Sequence, residues 1–237
     1  MTGMIDVHCH ILPGIDDGAS DLDVARAMLK KEYEDGVRAV IATPHYRKRM
    51  FEPSKERIVS AYETLRREAE GLGIALYLGC EYHVNSEITE NIFAGNQPSL
   101  AGSRYVLSEF SSASTDAFIR ERCMHMRTRG LVPVIAHVER YPALTDDLDL
   151  IEELSEMGCM IQMNAGSILR EDGFKVRRFC KKLLSYQMVD LIGSDCHDMK
   201  QRSPRMGECE DWLEKKTGAA YTEKLMRGNA EKILEKR

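Results

Sequence analysis

Met4-Ile5-Asp6-Val7-His8-Cys9-His10 is a β-branched, largely apolar run that ends in two histidines two residues apart. The run reads as a buried strand, and the period of two along a strand turns both imidazoles to one face, where they can chelate one ion. Further short apolar runs follow at Val37–Ala42, Ile74–Leu78, Tyr105–Leu107, Val132–Ala136, Cys159–Met163 and Val189–Ile192. Between them lie helical patterns over Asp21–Asp35, Ser54–Gly71, Thr115–Arg129, Asp146–Met157 and Phe174–Tyr186, and Tyr221–Lys236 closes the chain. Ser20 or Asp21 supplies the first N-cap, while Gly36, Gly71, Gly130 and Gly158 mark helix ends. Strand–helix alternation predicts an α/β protein with a parallel sheet. Seven units in 237 residues favour one domain, residues 1–237, rolled into a closed or nearly closed barrel. An open doubly wound sheet is the competing architecture, disfavoured because no Gly-rich phosphate turn follows the first strand.

Composition narrows the function. With 33 basic and 38 acidic side chains the chain carries a net charge of −5, which argues against a nucleic-acid binder. Hydrophobic residues make up 43%, enough for a sizeable core, so disorder and a disulfide-stapled mini-protein are excluded. No apolar run approaches the ~18 residues of a membrane helix, and the N-terminus lacks the pattern of a signal peptide. Seven cysteines without CxxC spacing fit reduced thiols in a cytoplasm.

The strand ends carry the chemistry. They read His8-Cys9-His10, Thr43-Pro44-His45, Cys80-Glu81, Ser108-Glu109, Ala136-His137, Met163-Asn164 and Ser194-Asp195-Cys196-His197. From His10 to Asp195 the polar residues recur at intervals of 27 to 36 residues, the length of one strand plus one helix. In a parallel barrel they converge on the C-terminal mouth. Burying so many ionisable groups together is costly unless cations bridge the carboxylates and imidazoles ligate them. His8, His10, His45, His137 and His197, with Asp17, Glu81, Glu109 and Asp195, could hold two or three divalent ions. The mixed N/O set suits Mn²⁺, Fe²⁺ or Zn²⁺.

His8-Cys9-His10, Asp16-Asp17-Gly18, Thr43-Pro44-His45, Glu81, His137-Val138-Glu139-Arg140-Tyr141 and Ser194-Asp195-Cys196-His197 together resemble the PHP (polymerase and histidinol phosphatase) metallophosphatases. Within them the pattern is similar to the bacterial CpsB-type tyrosine-protein phosphatases, over about residues 4–235. The resemblance implies a distorted (β/α)₇ barrel, a three-metal site usually filled by Mn²⁺, and a role in capsule or exopolysaccharide synthesis. It implies as substrate a tyrosine-phosphorylated bacterial kinase. It assigns His8, His10, Glu81 and Asp195 to one metal, Glu81, Glu109 and His137 to a second, and Asp17, His45 and His197 to a third. The family's phosphate-binding arginines fall on Arg140 and Arg202, and its loop after Pro44 is basic here (Arg47, Lys48, Arg49).

The implied reaction is metal-assisted hydrolysis of a phosphate monoester, with Arg140 and Arg202 neutralising phosphoryl oxygens and His45 and His197 as candidate proton donors. A small-molecule phosphatase, such as one for histidinol phosphate, is the alternative within this chemistry, and a non-catalytic metal-bound module lies outside it. Asn164 has the register of a ligand without its usual chemistry; a role supporting a ligand or in the polar core stands level with substrate contact. His83 is expected in loop packing or solvent, and His125 in a helix. C-x₅-R, the nucleophile pattern of a different phosphatase class, occurs at Cys123–Arg129 and Cys196–Arg202. Neither stretch has glycines to wrap a phosphate in backbone N–H groups, so a phosphocysteine route is rejected.

Overall fold

The computed structural model of the chain describes residues 3–235. In chain order its strands are β1 (Met4–Cys9), β2 (Val37–Ala42), β3 (His45–Tyr46), β4 (Ala75–Leu78), β5 (Glu81–His83), β6 (Tyr105–Glu109), β7 (Val132–Ile135), β8 (Met160–Asn164) and β9 (Leu191–Gly193). All paired neighbours are parallel, in the orders β1-β2-β4 and β3-β5-β6-β7-β8-β9. The two sets are one curled sheet interrupted at a single level. Pro44 separates β3 from β2 and has no N–H for a ladder. Gly79 N–H to the Ala42 carbonyl (2.8 Å) and Glu81 N–H to the Pro44 carbonyl (3.1 Å) carry the pairing across the break. Counting each interrupted pair as one gives the seven staves read from the sequence. Asp195 N–H donates to the His8 carbonyl (2.8 Å) and His10 N–H to the Cys196 carbonyl (3.0 Å), so the chain after β9 is tied back to β1.

The helices are α1 (Leu22–Glu34), α2 (Lys55–Leu72), α3 (Ile88–Phe93), α4 (Asp116–Thr128), α5 (Pro142–Thr145), α6 (Leu148–Glu156), α7 (Ala165–Leu169), α8 (Gly173–Ser185), α9 (Met206–Thr217), α10 (Ala219–Glu223) and α11 (Asn229–Glu235). Asp21 is the α1 N-cap, its carboxylate accepting from Val24 N–H. α9 had no counterpart among the expected helices; its apolar positions are sparse and no side chain caps its N-terminus. The closing helix, expected as one piece over Tyr221–Lys236, is three: α10, a π-turn at Lys224–Gly228, and α11, with Lys236 outside the described residues. Gly228 weakens helix continuity there.

One buried cluster lies inside the curled sheet, built from Ile5, Val7, Ala39, Ile41, Leu107, Val134 and Leu191, and Ala230 and Ile233 of α11 join it. A larger cluster lies between the sheet and the helices; Met4 and Cys9 belong to it with Ala25, Met28 and Leu29 of α1. β1 therefore sends Met4 and Cys9 outward and Ile5 and Val7 inward. The β1–β2 register shifts between Asp6 and Cys9. Such a bulge re-aims side chains, and here it lets His8 and His10 continue on the inner side directly after Val7.

Candidate metal centre

Asp6 holds the bulge. Its Oδ1 accepts from His8 N–H (3.2 Å) and Ser194 N–H (2.9 Å), and its Oδ2 from the Ser194 hydroxyl (2.6 Å). Gly193, just before, is required by space: a Cβ there would lie 2.6 Å from His8 Cβ. A tight backbone thus sets the two histidines against the turn that carries Asp195.

The innermost donors are His8 Nε2, His10 Nε2, Glu81 Oε2 and Asp195 Oδ1. The two imidazole nitrogens are 3.1 Å apart; they lie 3.2 and 3.1 Å from Glu81 Oε2 and 3.4 Å each from Asp195 Oδ1. Four ligands ~2.0–2.1 Å from a common tetrahedral centre stand about 3.3–3.4 Å apart. The donor set fits a divalent cation in both spacing and chemistry.

The remaining expected ligands surround this group. His45 Nδ1 reaches to 3.0 Å from Glu81 Oε2, and His137 Nε2 to 2.9 Å from Glu81 Oε1. Asp17 Oδ1 stands 3.5 Å from His45 Nε2 and 3.6 Å from His197 Nε2. Donor atoms of His10, Asp17, His45 and His197 lie within 4.8 Å of one another, as do those of His45, Glu81 and Glu109. His10 and His45 thus each border two groups, a sharing beyond the one-metal-per-histidine division implied by the resemblance. His45 Nδ1, Glu81 Oε2 and His197 Nε2 are buried without a hydrogen-bond partner among the described residues, although the first two approach each other. Buried polar atoms are rarely left so, and a cation would satisfy all three.

Electrostatics agree. Burial pushes the Glu81 and Asp195 carboxyls up, yet His8 and the surrounding cationic groups hold both well below the usual carboxylate range. Burial likewise opposes charge on His8 and His10, and the carboxylates Glu81 and Asp16 respectively outweigh it. At His197 burial prevails, aided by His10, and the pKa falls, which suits a neutral ligand better than a proton donor. His137 (φ 32°) and Asp195 (φ 52°) adopt left-handed backbone, a strain retained here where both side chains meet the cluster.

Arg140 and Arg202 meet on Asp195 Oδ2, at 2.8 and 2.6 Å. Both line a 220 Å³ pocket with Asp17, His45, Glu81, Glu109 and His137. The basic loop divides. Arg47, Met50 and Phe51 line that pocket, Lys48 pairs with Glu87, and Arg49 N–H donates to Glu52. Phe51 stacks on His45 at 5.3 Å with an interplanar angle of 11°.

Several supports were hidden in the sequence. Asp16 and Asp17 have separate tasks: Asp16 Oδ2 accepts from His10 Nδ1 and His45 N–H, both at 2.8 Å, while Asp17 faces the imidazoles directly. Gly18 completes that turn, since a Cβ would fall 2.1 Å from the His10 carbonyl oxygen. Gln162, whose type carried no signal, contacts His8 Nδ1 (3.3 Å) and accepts from His137 N–H (2.8 Å). The Tyr141 hydroxyl holds His137 Nδ1 at 3.0 Å. Asn164 Nδ2 donates to Asp195 Oδ2 (2.7 Å), a contact of the supporting kind. His83 is not simple loop packing: its Nδ1 lies 3.0 Å from Glu109 Oε2, because β5 pairs in register with β6. His125 sits in α4 against Thr89. Cys123 and Cys196 are fully buried, and Cys123 is inside α4, away from any phosphate loop.

A family model described as capsular polysaccharide synthesis, CpsB/CapC, matches residues 4–235. The chain is 33% identical over 238 aligned residues to the tyrosine-protein phosphatase CpsB of Streptococcus pneumoniae, with 98% of each covered. It superimposes with a TM-score of 0.91 and 28% identity on a chain from the crystal structures of YwqE from Bacillus subtilis and CpsB from Streptococcus pneumoniae, described as metal-dependent tyrosine phosphatases; 99% of this chain and 95% of that one align. Histidinol phosphate phosphatase from Lactococcus lactis shares the fold at a TM-score of 0.57 and 15% identity, covering 99% and 93%.

Proposed function

The chain belongs to the capsular polysaccharide synthesis CpsB/CapC family, and from that premise we propose how it works as a metal-dependent tyrosine-protein phosphatase. It is a phosphoric monoester hydrolase of the capsule-synthesis type. We assign three divalent ions, Mn²⁺ by preference: two to groups that share Glu81, namely His8, His10, Glu81 and Asp195, and Glu81, Glu109 and His137 with His45 alongside; and a third to Asp17, His45 and His197 with His10 alongside. The carrying observation is that Glu81, fully buried on the inner wall, offers both oxygens to four imidazoles at 2.9–3.2 Å. Ions held there supply Lewis-acid charge for phosphoryl oxygens and lower the pKa of water towards neutrality.

The chain's own residues do the rest. Arg140 and Arg202 flank the pocket with planar guanidinium groups suited to paired contacts on a phosphate, neutralising charge as the ester bond breaks. Phe51 and Met50 give an apolar edge beside His45 for a phenyl ring. A tyrosinate leaving group has pKa ~10, so strong general acid assistance is not required. We propose an autophosphorylated bacterial tyrosine kinase as substrate, in keeping with the family's place in capsule synthesis. We also propose that residues 1–237 act as one domain in the cytoplasm, where the seven free, buried thiols stay reduced. No helix among the described residues is long and apolar enough to cross a membrane.

Turnover of a phosphotyrosyl peptide and of histidinol phosphate is to be compared after chelation and after Mn²⁺ add-back. Peptide hydrolysis that disappears on chelation, returns with metal and exceeds histidinol phosphate turnover is the expected result. Peptide hydrolysis that survives thorough chelation overturns the assignment.

A further inference from the structure

We propose that the outer face of α8 is a docking surface for anionic phospholipid, holding the barrel on its flank against a negatively charged membrane. α8 carries Lys175, Arg177, Arg178, Lys181 and Lys182 and no acidic residue. Lys175, Arg178, Lys181 and Lys182 are exposed, at spacings that place them on one stripe of the helix. None of these five cations has an ion pair among the described residues. Some surface cations elsewhere are paired, Arg26 with Glu68, Arg66 with Glu63, Arg120 with Glu153, Arg205 with Glu208; α8 is distinguished by gathering five cations on one helix that carries no acid. The nearest acids in sequence are engaged, Glu171 with Arg205 and Asp172 with Ser167 and Arg140. An unneutralised basic stripe in a chain of net charge −5 marks a place for an anionic partner.

Two further features favour a lipid surface over an acidic peptide. Phe174 and Tyr186, at the two ends of the stripe, are 69% and 60% exposed, a placement suited to aromatic anchors at a membrane interface. Between α8 and α9 lies a 490 Å³ groove with Lys181, Lys216 and Trp212 on its walls and no carboxylate, a fit for a phosphate-bearing headgroup. The apolar side of α8, including Cys180, Leu183 and Leu184, is buried against the barrel, so the helix adsorbs and does not insert. α8 connects β8 to the parallel β9, so it runs back along the flank away from the mouth that carries Arg140 and Glu81.

The test is co-sedimentation of the metal-loaded, full-length protein with vesicles of phosphatidylcholine alone or mixed with phosphatidylglycerol. Binding to the anionic vesicles only, weakening as salt shortens the screening length, is expected. The Lys175→Gln, Arg178→Gln, Lys182→Gln triple variant should partition about a hundredfold more weakly, at roughly fivefold per cation. It should keep wild-type hydrolysis of a soluble phosphotyrosyl peptide, which also reports that it is folded. Neutralising Arg26 and Arg66, cations that are already paired, should leave vesicle binding unchanged. Wild-type protein that stays in the supernatant with both vesicles overturns the proposal. So does a triple variant that binds as well as wild type, or capture by an acidic peptide without vesicle binding.

Discussion

Changing Asp16 to asparagine separates a residue that aims ligands from one that faces the ions. Asp16 Oδ2 accepts from His10 Nδ1 and from His45 N–H, each at 2.8 Å, and Oδ1 accepts from Gly18 N–H at 3.0 Å. Asparagine has one acceptor oxygen for these three donors. With that oxygen at the Oδ2 position, its amide N–H groups oppose Gly18 N–H. Flipped, the amide donates to His10 Nδ1, which moves the ring proton to Nε2 and removes the lone pair that faces Glu81 and Asp195. Loss of such an orienting carboxylate typically costs 10–100-fold in metal affinity, about 1.4–2.7 kcal/mol. Losing a buried hydrogen bond to a charged group removes ~1.5–3 kcal/mol of stability, roughly 3–6 °C in the melting temperature of a chain this long. Mn²⁺ titration followed by the resonance of the free ion, beside thermal unfolding of the metal-free protein, measures both. Asp17→Asn is the control: its side chain is 53% exposed and supports no backbone, so it should weaken metal binding without lowering the metal-free melting temperature. An Asp16→Asn protein that binds Mn²⁺ within twofold of wild type and melts at the same temperature would refute the orienting role.

Gly18→Ala puts a methyl 2.1 Å from the His10 carbonyl, and denaturant unfolding should register a loss of ~1–3 kcal/mol; a neutral result would mean that the turn yields more easily than its contacts suggest. Burial, and then the charge of Asp6, raise the Glu32 carboxyl well above its usual value. A raised carboxyl contributes its full stability below the unfolded value near 4.3 and loses it as pH rises through the folded one. Glu32→Gln does not titrate, so its melting temperature should gain on wild type between pH 5 and 8, and a difference that is flat with pH would contradict the assignment. Cys123→Ser and Cys196→Ser should each retain substantial peptide hydrolysis, whereas His10→Ala should abolish it; the reverse pattern would restore a cysteine nucleophile.

The strands were legible because buried parallel strands are continuous apolar runs, and the ligands because each closes such a run at the same end. Histidine and carboxylate are conspicuous after Val7 or Ala136. The supports were less visible. Gln162 lies within β8 as an ordinary polar residue, and only folding brings its amide beside His8 and His137. His83 follows Glu81 by two residues and gave no sign that the pairing of β5 with β6 would set it opposite Glu109. α9 escaped because tertiary packing of Met206, Cys209 and Leu213 forms it, with a weak apolar pattern of its own. The sharing of His10 and His45 between neighbouring groups is a matter of distance, which residue order does not contain.

The seam between the chain after β9 and β1 has a bearing on biosynthesis. Translation delivers His8 and His10 well before Asp195 and His197, which lie far along the sequence. Until then His8, His10, Asp17, His45, Glu81 and Glu109 are present without Asp195 and His197. The innermost group of His8, His10 and Glu81 is thus closed only by the late arrival of Asp195.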